Sequence, residues 1–255
     1  MSDFFTGVTL LGKTIRSSSC KSLKQVPNKV ESLHMAGYLD IASWPRRQTF
    51  EFFRNYTHPY FNVCAVVDIT SLKQFADERR VKISLAVHYF AMRTANEIEP
   101  FRYRLQEDKV FVYDVVDGGT TVLLPNETFS LAYFAYHKGF ERFVTEMGRA
   151  VEDVRTGNGD LKPTMRDDVI YHTTLPWIPF TSFAHARNKG RGDSIPRIVF
   201  GKFTTEKGRL MMPISVEVHH ALMDGLHVGR FLEQMEMAAA APEAFVNDKA
   251  ENSRT

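Results

Sequence analysis

Ile214-Ser215-Val216-Glu217-Val218-His219-His220-Ala221-Leu222-Met223-Asp224-Gly225-Leu226-His227-Val228-Gly229-Arg230 joins a strand to a helix through a pair of histidines. The first half alternates. Ile214, Val216, Val218 and His220 fall on one face of an extended chain, and Ser215, Glu217 and His219 on the other. The second half changes period: Val228, Phe231, Leu232 and Met235 follow the i, i+3, i+4, i+7 rule of an amphipathic helix. Asp224 stands just before that helix, where a carboxylate satisfies the unpaired first amides and the positive end of the helix dipole. Gly225 and Gly229 permit close backbone approach.

Imidazole is the side chain suited to moving protons near neutral pH. A proton-transfer base also needs partial burial, which excludes water. Alternation puts His220 on the apolar face and His219 on the polar one, so His220 is the candidate base. The same pattern fits a core histidine tethered by its own hydrogen bonds, and periodicity leaves both readings open. A metal site made of His219, His220, Asp224 and His227 is the weaker reading, because neighbouring strand histidines point apart.

Outward from this stretch the pattern mixes strands and helices. Arg197 to Thr204 and Arg209 to His220 read as strands around the turn Glu206-Lys207-Gly208. Val63 to Ile69 is a β-branched buried strand, and Ser71 opens an amphipathic helix as its N-cap. Ile83 to Ile98 and Glu141 to Arg155 have helical spacing, the second stopped by Gly157 and Gly159. Arg102 to Val116 and Thr121 to Tyr136 read as strands with turns at Gln106-Glu107-Asp108 and Asp117-Gly118-Gly119. Strands and helices do not alternate strictly. The expected fold is therefore α+β, a two-layer sandwich with a mixed β-sheet covered by helices.

Composition narrows the class. The chain has 255 residues, 44% hydrophobic and 24% charged, with 32 Lys and Arg against 30 Asp and Glu. Folded as one unit it would bury roughly 70–75% of its extended surface. A formal net charge of +2 gives no nucleic-acid footprint, and local binding of an anionic cofactor stays open. Cys20 and Cys64 are the only cysteines, so no disulfide framework exists and a reducing, cytoplasmic setting is expected. No apolar run approaches the ~20 residues of a membrane span. Residues 1–34 are polar and basic without periodicity, and read as a disordered or non-native extension, with Met35 as the start of the domain. A short targeting or docking arm is the other reading. One domain is expected over residues 35–241, followed by a dispensable tail over 242–255.

Several ordered segments resemble the chloramphenicol acetyltransferase family. The stretch from Leu210 to Phe231 is similar to that family's C-terminal signature, Leu175 to Phe183 to its Pro-Trp-x-x-Phe-x-Ser-Phe segment, and Trp44 to Phe50 to its Trp-x-Arg-Arg-x-His-Phe. Asp68-Ile69-Thr70 and Glu127-Thr128-Phe129-Ser130 follow in the family's order. The resemblance covers about Met35 to Ala240. It implies an acetyl-CoA-dependent O-acetyltransferase acting on a hydroxyl of chloramphenicol, an antibiotic-resistance activity.

In that likeness His220 is the general base and Ser182 the donor that stabilises the tetrahedral oxyanion. Asp224 and Arg46 match a buried ion pair supporting the active-site loop. Lys82 and Lys202 match positions near the phosphates of acetyl-CoA, and Phe203 matches an aromatic that stacks on its adenine. The acceptor pocket would include Phe53, Phe61 and Val199. The resemblance implies no metal, a homotrimer with sites at subunit interfaces, and no nucleic-acid or membrane partner.

There are departures. Thr49 replaces the family's usual histidine, and Phe53 and Val199 stand where a tyrosine and a threonine are common. Two alternatives follow: the same chemistry on another hydroxylated small molecule, or a non-catalytic trimeric protein that binds CoA or a ligand. A dihydrolipoyl acyltransferase core shares the His-x-x-x-Asp-Gly pattern, but nothing here resembles a lipoyl domain or its Ala/Pro-rich linker.

Overall fold

The structure, a computed structural model, describes residues 36–157, 166–187 and 193–247. The expected extension, residues 1–34, lies outside them. The described chain opens with a short strand β1 (Gly37–Tyr38) and helix α1 (Arg47–Phe53), then the long strand β2 (Tyr60–Asp68). Helices α2 (Thr70–Glu78) and α3 (Ile83–Glu97) follow, then a hairpin of β3 (Tyr103–Gln106) and β4 (Lys109–Val112). A second hairpin, β5 (Asp117–Leu123) and β6 (Phe129–Phe134), leads to helix α4 (Phe140–Thr156). Strands β7 (Val169–Leu175), β8 (Arg197–Gly201), β9 (Thr204–Glu206) and β10 (Arg209–His219) precede the final helices α5 (Gly225–Ala240) and α6 (Pro242–Asn247).

Seven strands form one sheet in the order β2-β10-β8-β7-β5-β6, with β9 paired to β10. β7 runs parallel to both β5 and β8, and the other pairings are antiparallel, so the sheet is mixed. β1, β4 and β3 make a separate small sheet. Helix α3 is the centre of the helical layer: every residue from Ala86 to Ala95 is buried, and α2, α4 and α5 pack against it. A helix covered all round needs apolar residues on every side, which explains why its sequence shows little amphipathic contrast. The fold is the α+β arrangement that the pattern predicts.

Register divides β10 between two environments. Val216 pairs with Val63 and Ile198, and Ile214 with Ala65 and Phe200, all facing the helices. Ser215 pairs with Cys64 and Val199, and Glu217 with Asn62 and Arg197, on the opposite face.

Four expectations need correction. Gly118-Gly119 is not a turn but lies inside β5, where a Cβ on Gly118 would come within 2.2 Å of the Phe134 ring. Glycine is there for close packing across the hairpin, whose real turn is at residues 124–128. Ser71 does not cap α2; Asp68 does the work by accepting from the Thr70 amide at 2.9 Å and the Thr70 hydroxyl at 2.6 Å. Strand β7, rich in β-formers but polar, is an element that the sequence reading passed over.

The fourth concerns the tail. Residues 242–247 form α6, whose Phe245 ring packs 5.0 Å from Phe90 and 4.1 Å from the Arg93 guanidinium. Glu243 adds an ion pair with Arg79 at 2.8 Å.

Candidate active site

β10 ends at His219, and the chain turns at once. The His220 amide donates to the Pro59 carbonyl at 2.6 Å, and the Leu222 and Met223 amides both donate to the His219 carbonyl at 3.0 Å. This tight turn brings the Met223 carbonyl to 3.2 Å from His220 Nδ1. A carbonyl can only accept, so Nδ1 carries the proton of the neutral ring and Nε2 keeps a free lone pair. The ring is gripped by aromatics. Phe53 stacks on it at 3.8 Å with planes 9° apart, and Phe61 lies at 4.7 Å, tilted by 50°. Phe52 and Tyr56 extend the cluster from the end of α1, at 4.9 and 5.1 Å from Phe53.

Burial ranks the two histidines in the order opposite to that expected from alternation. His219 is only 3% exposed, whereas His220 is half-buried. The strand is covered on both faces, so a polar face in the sequence is not an exposed one. Burial, together with the nearby positive charge of Arg187, pushes the His219 imidazole down to about 4. Its Nδ1 accepts from the Ala221 amide at 3.3 Å and its ring meets Tyr60 edge-on at 5.3 Å. His219 is thus a neutral, engaged side chain near pH 7. Geometry rather than burial separates the histidines: the amide at His219 Nδ1 leaves that ring's proton on Nε2, whereas the carbonyl at His220 Nδ1 leaves Nε2 with a lone pair.

The loop after His220 is braced by Arg46. Its guanidinium donates to the Leu222 carbonyl and lies 3.3 Å from Asp224 Oδ2. The side chains are 16% and 36% exposed, so this is a partly shielded pair rather than a fully buried one. Asp224 also caps α5, accepting from the Leu226 amide at 3.1 Å. His227 Nδ1 accepts from the Asp224 amide at 3.0 Å, which requires a neutral ring, and burial lowers its pKa accordingly. Burial would raise the Asp224 carboxyl, but the neighbouring His227 and the Arg46 charge leave it below its usual value.

The other predicted residues are spread along the sheet. Ser182 is exposed, follows β7 in an irregular segment, and makes no hydrogen bond among the described residues, to His220 or to any other group. Val199 is fully buried on the sheet face opposite Phe61 and outside the helix-side core. One chain therefore does not gather Phe53, Phe61 and Val199 around a single cavity. Lys82 is exposed immediately before α3. Lys202 is exposed at the break between β8 and β9, its amide bonded to the Ile178 carbonyl at 3.0 Å, and Phe203 packs half-buried against the core.

A cleft of about 410 Å³ lined by Val66, Asp68, Ser71, Arg209, Met211, Glu236 and Ala240 shares none of these residues. Among the described residues, no group of three or more His, Cys, Asp or Glu side chains is placed to hold a metal ion. No helix among them is long and apolar enough to cross a membrane.

Sequence reasoning missed the Met223 carbonyl, which fixes the His220 tautomer, and the stacking role of Phe53. Nothing in residue type signals a backbone acceptor. The three-residue spacing from His220 to Met223 becomes meaningful only once the turn is seen.

Comparison with known proteins bears on this geometry. The family model described as chloramphenicol acetyltransferase matches residues 36–236. Chloramphenicol acetyltransferase 3 of Escherichia coli is 30% identical over 202 residues, covering 77% of this chain and 93% of that protein. A solved chloramphenicol acetyltransferase superposes with a TM-score of 0.72 at 29% identity, covering 80% of this chain and 99% of that one. The Azotobacter vinelandii dihydrolipoamide acetyltransferase shares the fold, with a TM-score of 0.58 at 18% identity over 86% of this chain and 94% of that one. Fold and matches together define an acyltransferase built on a helix-covered mixed sheet. The chain belongs to the chloramphenicol acetyltransferase family.

Proposed function

We propose that this acyltransferase moves the acetyl group of acetyl-CoA to a hydroxyl of chloramphenicol, in a cytoplasmic homotrimer. The observation that carries the reading is the His220 tautomer: Nδ1 bound to the Met223 carbonyl leaves Nε2 as a base between two aromatic rings. Nε2 takes the proton of the acceptor hydroxyl as its oxygen attacks the thioester carbon. The Ser182 hydroxyl donates to the resulting oxyanion, a role worth ~3–4 kcal/mol in other acyl transferases. As the C–S bond breaks, His220 returns the proton to the departing thiolate, so one acetyl ester and one free CoA thiol are formed.

Arg46 and Asp224 hold the turn that aims the imidazole. Lys82 and Lys202 meet the phosphates and Phe203 the adenine. Ser182 is exposed and unbonded to His220 within one chain, which supports sites shared between subunits: Ser182, Val199 and the pocket wall from one copy, His220 from its neighbour.

The test follows CoA thiol release with acetyl-CoA and chloramphenicol. Wild-type protein releases thiol, while His220→Ala and Ser182→Ala lower kcat, each by at least ~100-fold. Mixed trimers refolded from the two inactive variants regain activity, because some interfaces then hold an intact histidine opposite an intact serine. No thiol release by the wild type would remove chloramphenicol as the acceptor; no recovery on mixing would place both groups in one chain's site.

A further inference from the structure

Among the described residues the Ser182 hydroxyl has no partner, and it lies on an irregular segment, yet a preorganised donor must be held still. The backbone on either side of it is fixed by unusual means. Before it, the Phe180 ring docks over Gly201, where a Cβ would stand 2.9 Å from the ring, and Phe180 meets Phe183 at 5.8 Å. After it, the segment is gripped by one carboxylate from β10. Glu217 accepts from Arg187 Nε at 2.7 Å and from the His185 amide at 3.3 Å. Arg187 is gripped in turn: its Nη1 lies 3.0 Å from Asp193 Oδ2 and 3.2 Å from the Ile195 carbonyl, and its guanidinium sits 4.3 Å over the Tyr60 ring. Arg197 ties the same region down by donating to the Ala186 carbonyl at 2.5 Å and pairing with Asp193 at 2.7 Å.

The Glu217 and Arg187 side chains are each only 6% exposed. Burial alone would raise the Glu217 carboxyl, but the donors from His185 and Arg187 hold it down at about 2. Buried ion pairs add little net stability, since apolar residues of similar volume often replace them without loss. What such a pair supplies is a single geometry. Glu217 lies three residues before His220, and His185 three residues after Ser182.

We infer that the Glu217–Arg187 pair is a positioning device that fixes the Ser182 segment on the strand leading to His220. The inference rests on the reading of Ser182 as the oxyanion donor. In the shared-site arrangement those two groups serve neighbouring pockets, so the pair sets the spacing between half-sites.

The experiment is a double-mutant cycle with acetyl-CoA and chloramphenicol, combined with hydrogen exchange over residues 181–187. Glu217→Gln/Arg187→Met removes both charges, so neither is left stranded. It is expected to lower kcat by ~10-fold or more with KM for acetyl-CoA within about twofold. In a Ser182→Ala background the same change is expected to cost less than about twofold, because the donor it positions is already gone. Exchange at the His185 amide is expected to rise in the double variant.

A folded double variant with wild-type kcat and unchanged exchange overturns the inference, as does a loss that adds fully to that of Ser182→Ala. So does a chain that cannot fold without the pair, which assigns the pair to stability. Unchanged kcat in Ser182→Ala alone removes the underlying reading of Ser182 instead. Exchange reports on the clamp even if chloramphenicol is not turned over.

Discussion

Phe53 lies flat against the His220 imidazole at 3.8 Å, and this contact limits how the ring can turn. Aromatic pairs of this kind contribute about 0.5–1.5 kcal/mol beyond burial. Phe53→Ala is therefore expected to leave KM for acetyl-CoA nearly unchanged and to lower kcat by up to ~10-fold, as the freed ring samples other rotamers. Phe53→Tyr keeps the stack and restores the hydroxyl that the family commonly carries there. One recovered hydrogen bond, worth ~1 kcal/mol, should lower KM for chloramphenicol about fivefold in steady-state assays. An unchanged KM would place the Tyr hydroxyl away from the acceptor. At this scale the sequence yields residue types and alternation but not partners. It distinguishes His220 from His219 by face, yet the property that sets them apart is a carbonyl at 3.2 Å. It also pairs Arg46 with Asp224 only through family likeness, because the two are far apart in the chain and meet across a turn.

Elements were more legible than contacts. Helices α3 and α4 lie within a residue of where periodicity places them, and α5 contains the predicted apolar positions and starts directly after Asp224. The Lys207-Gly208 turn is present, with both residues at positive φ. Failures came where tertiary context overrode local pattern: two glycines that look like a turn serve a ring contact inside β5, and a tail that looks polar folds as α6. Helix α6 is too short to be stable alone, so its order depends on what it touches. Phe245 covers Phe90, which is fully buried, and its carbonyl accepts from Arg93. Phe245→Ala is expected to cost ~2 kcal/mol and to lower the thermal midpoint by roughly 4–8 °C, with activity retained below the transition. A midpoint within about 1 °C of wild type would show that α6 is merely resting on the core.

Among the described residues, His88, His172 and His219 are stored neutral in the interior. Burial lowers His88 to about 4 and, with Arg187 nearby, lowers His219 to about 4 as well; burial with His88 as neighbour holds His172 well below its usual value. Among the described residues, His172 has no hydrogen-bond partner on either ring nitrogen. An unfolded chain would protonate these rings near pH 6.5 while the folded chain does not, so between ~6.5 and ~4 the unfolded state binds more protons. Stability from these groups is present above ~6.5 and lost as pH falls toward ~4, by about 3 kcal/mol for His88 alone. Glu217, held at about 2, adds a separate loss below ~4.3. Urea midpoints at pH 7, 5.5 and 4.5 are expected to fall steadily, and His172→Phe, which removes an unpartnered titrating ring, should flatten that fall. Equal midpoints at pH 7 and 4.5 would exclude the effect.

Strand β10 has a consequence for how the chain can change over generations. Val216 and Val218 sit among apolar neighbours under the helices, while on the reverse side Ser215 bonds Asn62 and Glu217 pairs with Arg187. A one-residue slip would exchange these sets, pushing the Glu217 carboxylate into hydrocarbon and turning Val218 onto Arg187. An inserted or deleted codon anywhere from Leu210 to His219 would impose that exchange on every residue up to His220. The hairpin tip at Lys207-Gly208, where a Cβ on Gly208 would meet nothing within 4 Å, can absorb added length. The histidine's address is thus counted along the strand from that tip, and lineages are free to lengthen this chain only where no such counting occurs.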